Sequence, residues 1–247
     1  MEKIFAGKNA LVIGGTGGIG RAVALGLAKQ GARLVLHGGS SQERLAGALE
    51  LVRAAGAQAE GFLYPIDNGG PAEIPARARE LCGGASLDIL VCAWGPFKQG
   101  NLEDMKAEDW QRLIGHNLTF PGIMVSSVLK DMMDKRWGRI LLFGGTNTDT
   151  IRGFKTTAVY SAAKTALGTL AKSVARIAGP LGVTCNVICP GLTDTEYSNG
   201  KMRAYNREQS PGGKVLNPED IAKIAIGVLE NPTVNGGIIP VDQGLAL

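Results

Sequence analysis

Aromatic residues are scarce in this 247-residue chain, at only 5%. A core without them must be aliphatic and rich in Ala, and a hydrophobic content of 45% can supply a large one. An excess of one charge is also lacking. The 26 Lys and Arg nearly balance the 22 Asp and Glu, leaving a net charge of +4, and the basic residues are scattered. That argues against a nucleic-acid surface, whose footprint is a concentrated basic face, and leaves room for a phosphate-bearing ligand. The four cysteines, Cys82, Cys92, Cys185 and Cys189, form no Cys-x-x-Cys pair, and His37 and His116 have no paired spacing. No metal site is expected, and the cysteines read as buried free thiols in a reducing compartment. No apolar run approaches the ~18 residues of a membrane span. The N-terminus turns polar at Lys8 without a secretory pattern. These absences predict a soluble, cytoplasmic protein.

What is present is an alternation of short apolar runs and longer helical patterns. Strands are predicted at Ala10–Ile13, Arg33–His37, Ala59–Tyr64, Asp88–Cys92, Arg139–Phe143, Val183–Cys189 and Gly237–Val241. Most are near-continuous apolar stretches, as parallel strands covered on both faces require. Helices are predicted at Gly20–Gln30, Gln42–Ala55, Pro71–Leu81, Ala107–Lys135, Thr157–Gly179 and Pro218–Leu229, the last opened by Asn217 as cap and Pro218 in the first turn. The repeated β-α-β order predicts an α/β fold, a Rossmann-type doubly wound parallel sheet of about seven strands flanked by helices. No linker or shift of composition divides the chain, so residues 1–247 read as one domain. The one long irregular stretch, Thr193–Leu216, follows a strand end and reads as a substrate lid.

The first strand runs into Gly14-Gly15-Thr16-Gly17-Gly18-Ile19-Gly20. Two glycine registers fit: Gly15, Gly17 and Gly20, or Gly14, Gly18 and Gly20. Placed at a strand-to-helix turn, bare backbone N–H groups and the helix dipole can hold a pyrophosphate. Gly14, Thr16, Gly18, Ile19 and Gly20 are the candidate contacts. The second strand ends in Leu36-His37-Gly38-Gly39-Ser40-Ser41, with no carboxylate until Glu43. An acidic residue there would accept bonds from the ribose hydroxyls and favour NAD. Ser40 and Ser41 could instead donate to a 2′-phosphate, with Arg44 or Arg33 supplying charge, so NADP(H) is favoured over NAD(H).

Tyr160 and Lys164 lie one helical turn apart, which puts both on one face. A neighbouring ammonium stabilises a phenolate, so the pair could move a proton near neutral pH. Tyr197 and Lys201 repeat the spacing, but the intervening Asn199-Gly200 signals a turn that breaks it. Tyr197 therefore reads as a lid residue.

Together these features resemble the short-chain dehydrogenase/reductase family over almost the whole chain. The family's Thr-Gly-x-x-x-Gly-x-Gly matches from Gly14 onward, with Ile13 in place of Thr. The resemblance assigns adenine contact to Asp67, a proton-relay water to Asn117, and the catalytic pair to Tyr160 and Lys164, which also border the nicotinamide. It assigns the carboxamide grip to Pro190, Gly191 and Thr195. Two motifs depart. The family's Asn-Asn-Ala-Gly is Cys92-Ala93-Trp94-Gly95, where Gly95 survives and Trp94 packs over the cofactor or shapes the entrance. The catalytic Ser is absent: its position falls at Gly145 counted from the fifth strand and at Asn147 counted back from Tyr160. Thr146 is the chosen substitute, with Thr148 and Asn147 as alternatives.

The resemblance implies hydride transfer between NADP(H) and a carbonyl/alcohol substrate, with Tyr160 as proton donor and Lys164 lowering its pKa. It is strongest to 3-oxoacyl-acyl-carrier-protein reductases, which makes a 3-oxoacyl thioester one candidate. Arg136 matches one of their carrier-binding positions, while the other is Leu181. Steroid, sugar and small-ketone substrates stay open, as does a catalytically weakened cofactor-binding scaffold or sensor. A homo-oligomer, tetramer or dimer, is implied by resemblance alone.

Overall fold

A computed structural model describes residues 3–66 and 70–245. The seven strands are β1 (Asn9–Ile13), β2 (Arg33–Gly38), β3 (Ala59–Leu63), β4 (Ile89–Cys92), β5 (Gly138–Phe143), β6 (Val183–Pro190) and β7 (Ile238–Val241). They form one sheet in the order β3-β2-β1-β4-β5-β6-β7, every pair parallel. Each strand lies within one residue of its predicted bounds at either end; β1, β2, β4, β5 and β6 are apolar runs buried on both faces, and β3 and β7 are the part-exposed edges.

Alternation along the strands builds two cores. In β1, Ala10 and Val12 face one side and Leu11 and Ile13 the other, all fully buried. The first side is covered by α1 (Gly18–Lys29), α2 (Gln42–Ala54) and α8 (Pro218–Glu230). The second is covered by α3 (Glu73–Leu81), α5 (Phe120–Asp134) and α6 (Ala158–Ala178). Strand order reverses between β1 and β4, so the loops after these two strands diverge and open a crevice at their carboxyl ends.

Two predicted elements differ. The single helix over 107–135 is α4 (Ala107–Ile114), a π-helical segment (Gly115–Thr119) and then α5. Pro121 has no N–H to give to the carbonyl of Asn117, four residues back, so the regular ladder cannot continue there. The irregular stretch after β6 contains α7 (Gly200–Gln209). Asn199, read from sequence as part of a turn, caps this helix by accepting from the Met202 N–H at 2.9 Å. Tyr197 precedes the helix, so Tyr197 and Lys201 lack the shared face of Tyr160 and Lys164.

Candidate active site

The loop from β1 into α1 forms the floor of the crevice. Gly14 and Gly18 adopt φ of +73° and +48°, the left-handed region that side chains disfavour. A Cβ on Gly20 would lie 2.2 Å from the Gly14 carbonyl oxygen, so this turn closes only over bare backbone. The register Gly14, Gly18, Gly20 is the one whose first two glycines both take positive φ. Above the loop lies a cavity of about 480 Å³ whose lining includes Gly14, Thr16, Gly18, Ile19, Ser40, Ser41, Gly95 and Thr195. Residues predicted from four separated segments meet there. Gly191, at the end of β6, donates its N–H to the Val241 carbonyl at 2.9 Å and packs on Asp242. Asp67 lies outside the described residues.

Charge for a 2′-phosphate can come from only one of the two predicted arginines. Arg33 is committed elsewhere, its guanidinium donating to the carbonyls of Leu81 at 2.7 Å and Cys82 at 3.4 Å. Arg44 lines the cavity, on the helix whose start Ser41 caps by accepting from the Arg44 N–H at 3.3 Å. His37, at the end of β2, also borders the cavity. Burial lowers its pKa to about 4, so the ring is neutral, with Nε2 2.8 Å from the Tyr64 carbonyl.

The chemistry-bearing side chains lie beyond this lining, and Lys164 and Asn117 approach it at Gly95. Tyr160 and Lys164 stand one turn apart near the start of α6. Lys164 is buried and its Nζ donates to the Phe143 carbonyl, at the end of β5, at 2.8 Å. A Cβ on Gly95 would lie 3.3 Å from that Nζ and 2.1 Å from Asn117 Oδ1, so the two groups meet over a bare glycine. Asn117 is fully buried and its Nδ2 donates to the carbonyls of Pro96 at 2.9 Å and Leu113 at 3.1 Å. Its Oδ1 has no hydrogen-bond partner, an acceptor left aimed into the site.

The chain as a whole is similar to known proteins. The short chain dehydrogenase family model matches residues 8–206. The chain belongs to the short-chain dehydrogenase family. It is therefore an NAD(P)-dependent oxidoreductase acting on CH–OH or C=O groups. It is 32% identical over 248 residues to the 3-oxoacyl-acyl-carrier-protein reductase FabG of Escherichia coli, covering 98% of each chain. It is also 32% identical over 238 residues to D-beta-hydroxybutyrate dehydrogenase of Rhizobium meliloti, covering 89% of this chain and 90% of that one. Among solved structures, a 3-oxoacyl-(acyl-carrier-protein) reductase from Agrobacterium tumefaciens with NADP bound superposes with a TM-score of 0.89 at 28% identity, covering 99% of this chain and 97% of that chain.

The surroundings of Tyr160 include a bare glycine. A Cβ on Gly145 would lie 2.9 Å from the Tyr160 hydroxyl, so the glycine backbone abuts the proton-bearing atom. Of the two readings of the missing Ser position, the count from the fifth strand therefore lands beside the tyrosine, and the residue there has no side chain. The hydroxyl of Thr146 donates to the Pro190 carbonyl at 3.0 Å. Thr148 is buried and folds back on its own turn, accepting from the Gly145 N–H at 2.8 Å and donating to the Gly145 carbonyl at 2.9 Å. Asn147 sits at φ +62° with its Oδ1 buried and unpartnered.

The expected depression of the Tyr160 pKa by Lys164 is not found. Burial pushes the phenol above its ordinary value, with the nearby Cys189 adding to the rise. Burial also brings the Lys164 ammonium down to about 8. Desolvation penalises the phenolate and the ammonium alike, and in this confined site it is the largest influence on both. Tyr160 thus keeps its proton near neutral pH. Phe97 stacks edge-on against its ring at 5.0 Å between centroids. Trp94 packs on His116 and Phe120 as well as lining the cavity. Sequence reasoning missed Phe97, which no spacing rule connects to Tyr160. It also missed Glu196, whose carboxylate accepts from the Gly18 N–H at 3.0 Å across a sequence separation of 178.

Proposed function

We propose that this short-chain dehydrogenase reduces a carbonyl group with NADPH as the favoured cofactor, with a 3-oxoacyl thioester as the first substrate class to try. The observation that carries this is the meeting of Asn117 Oδ1 and Lys164 Nζ over Gly95, itself a lining residue of the glycine-floored cavity. The cavity suits a dinucleotide: positive-φ glycines at a helix N-terminus offer N–H groups to a pyrophosphate. NADP(H) is supported by the run from His37 to Ser41, which has no carboxylate, and by Ser40, Ser41 and Arg44 around the same cavity.

Bound in the cavity, a reduced nicotinamide would supply a hydride to the carbonyl carbon. Tyr160 gives its proton to the carbonyl oxygen, and burial keeps that proton in place until the oxygen develops charge. Lys164 stabilises the phenolate left behind and orients the ribose. Asn117 offers its unpartnered Oδ1 to a water that returns the proton from solvent. Gly145 contributes no hydroxyl, so Thr146 reaches the substrate oxygen by releasing the Pro190 carbonyl. The segment 193–216, with α7 inside it, closes over the substrate as a lid.

Replacing Tyr160 by Phe removes the proton and keeps the ring. Positioned proton transfer is worth ~10²–10⁴-fold, so NADPH-dependent reduction of a 3-oxoacyl thioester or a generic diketone should fall by that order while NADPH binding is unchanged. Substantial residual activity in that variant would sink the assignment. The bare Gly145 favours one second reading, a cofactor-binding protein with weakened catalysis. It predicts tight NADPH binding with no wild-type turnover on any carbonyl class.

A further inference from the structure

The start of the lid lies in the dinucleotide groove itself. Thr195 to Ser198 form a tight turn, with the Ser198 N–H donating to the Thr195 carbonyl at 3.0 Å and the Tyr197 N–H to Thr195 Oγ1 at 3.3 Å. Arg203 on α7 anchors this turn from behind, its Nε donating to Asp194 Oδ1 at 2.9 Å. Glu196 at the tip points its carboxylate at the first turn of α1. Oε1 accepts from the Gly18 N–H at 3.0 Å and lies 3.6 Å from the Arg21 guanidinium. A Cβ on Gly17 would meet Tyr197 Oη at 2.2 Å and Glu196 Oε1 at 2.6 Å, so both side chains rest directly on the glycine loop. The Tyr197 ring lies 5.1 Å from the Arg44 guanidinium.

An N–H at a helix N-terminus beside an arginine is the chemistry that receives a phosphate. Here a carboxylate of the chain's own lid takes it. We propose that Glu196 is an internal stand-in for the cofactor pyrophosphate, latching the lid onto the phosphate loop until the dinucleotide displaces it. Displacement frees the Gly18 N–H and Arg21 for the pyrophosphate, and movement of Tyr197 frees Arg44 for the ribose end. Lid position and cofactor occupancy are thereby coupled through one side chain. This rests on the dinucleotide-binding reading above. Glu196 becomes a determinant of cofactor affinity, because the fraction of molecules held in the latched state lowers the apparent affinity in proportion.

The test compares wild type with Glu196→Gln, which keeps shape and loses charge, and Glu196→Ala. NADPH and inorganic pyrophosphate are titrated against Trp fluorescence, and amide hydrogen exchange is followed in 193–216 and at Gly18. An anion at a helix N-terminus of this kind is worth roughly a two- to thirtyfold change in an equilibrium constant. Both variants should bind NADPH and pyrophosphate tighter by that factor. In the free protein their lid should exchange faster than wild type, and the difference should vanish on saturation with NADPH. Arg21→Gln in the Glu196→Gln background should weaken NADPH again. Unchanged or weaker binding in both Glu196 variants overturns the latch. So does tighter binding with unchanged lid exchange, which reduces Glu196 to simple charge repulsion. In both cases NADPH still binds and the functional reading stands. If neither NADPH nor NADH binds wild type or variants, the functional reading falls and the latch with it.

Discussion

Lys164 carries a charge that the fold does not want, and removing it should stabilise the protein while disabling it. Burial lowers its pKa from 10.5 to about 8. At ~1.4 kcal/mol per unit, keeping the ammonium inside costs ~3 kcal/mol at neutral pH. The unfolded chain holds this proton up to about pH 10.5, whereas the folded protein releases it near 8. Between these values the unfolded state binds more protons, so stability rises with pH. The penalty is full below about 8 and relieved toward 10.5. Of the ~3 kcal/mol, ~2 kcal/mol is recovered between pH 7 and about pH 9.5. Lys164→Met keeps the unbranched stem and removes the titration. It also removes the bond to the Phe143 carbonyl, a loss of about 1 kcal/mol that does not vary with pH. Guanidinium denaturation of both proteins at the two pH values should show wild type gaining ~2 kcal/mol on the variant at the higher pH. The same titration should appear in catalysis as a fall in kcat/KM for reduction as the free enzyme passes about pH 8. A stability difference between the two proteins that is constant from pH 7 to about pH 9.5 would refute the buried-charge argument.

His37 should produce a slope of the same sign in acid. Its ring is buried neutral with the pKa lowered from 6.5 to about 4, so stability is lost as pH falls from the first value toward the second. Wild type should lose ~2 kcal/mol more than His37→Gln between pH 7 and about pH 4.5 in urea denaturation; equal losses count against it. Gly145→Ala puts a Cβ 2.8 Å from Tyr160 Cε1 and 2.9 Å from its hydroxyl. Displacing the proton donor should lower kcat roughly tenfold or more while leaving the Kd for NADPH unchanged, and an undiminished kcat would show that Tyr160 has room to move. Arg44→Ala should weaken NADPH roughly tenfold and NADH much less; equal effects on the two cofactors in parallel titrations would remove Arg44 from the 2′-phosphate.

The sequence alone determined the α/β fold, the strand bounds and the meeting of Tyr160 with Lys164. Those features depend on local pattern: apolar runs that must be buried on both faces, helical spacing, and glycines where the chain turns sharply. Asn199-Gly200 shows the limit of such reasoning, because the same dipeptide that signals a turn serves as a helix start once Met202 supplies the N–H to be capped. The π-helical segment at Asn117 was within reach, since Pro121 removes the donor four residues later.

The remaining features arise from how these elements pack. The loop length between β5 and Tyr160 left two positions for the missing Ser, and the approach of the Gly145 backbone to the Tyr160 hydroxyl exists only after β5 and α6 have packed. The sign of the Tyr160 shift was likewise beyond the sequence. Spacing reports that an ammonium is near, but the water removed from both groups depends on everything packed around them. Glu196 is the plainest case. Nothing in its neighbourhood along the chain marks it as a ligand of a helix start, and its partner Gly18 is brought to it by the fold of the entire sheet.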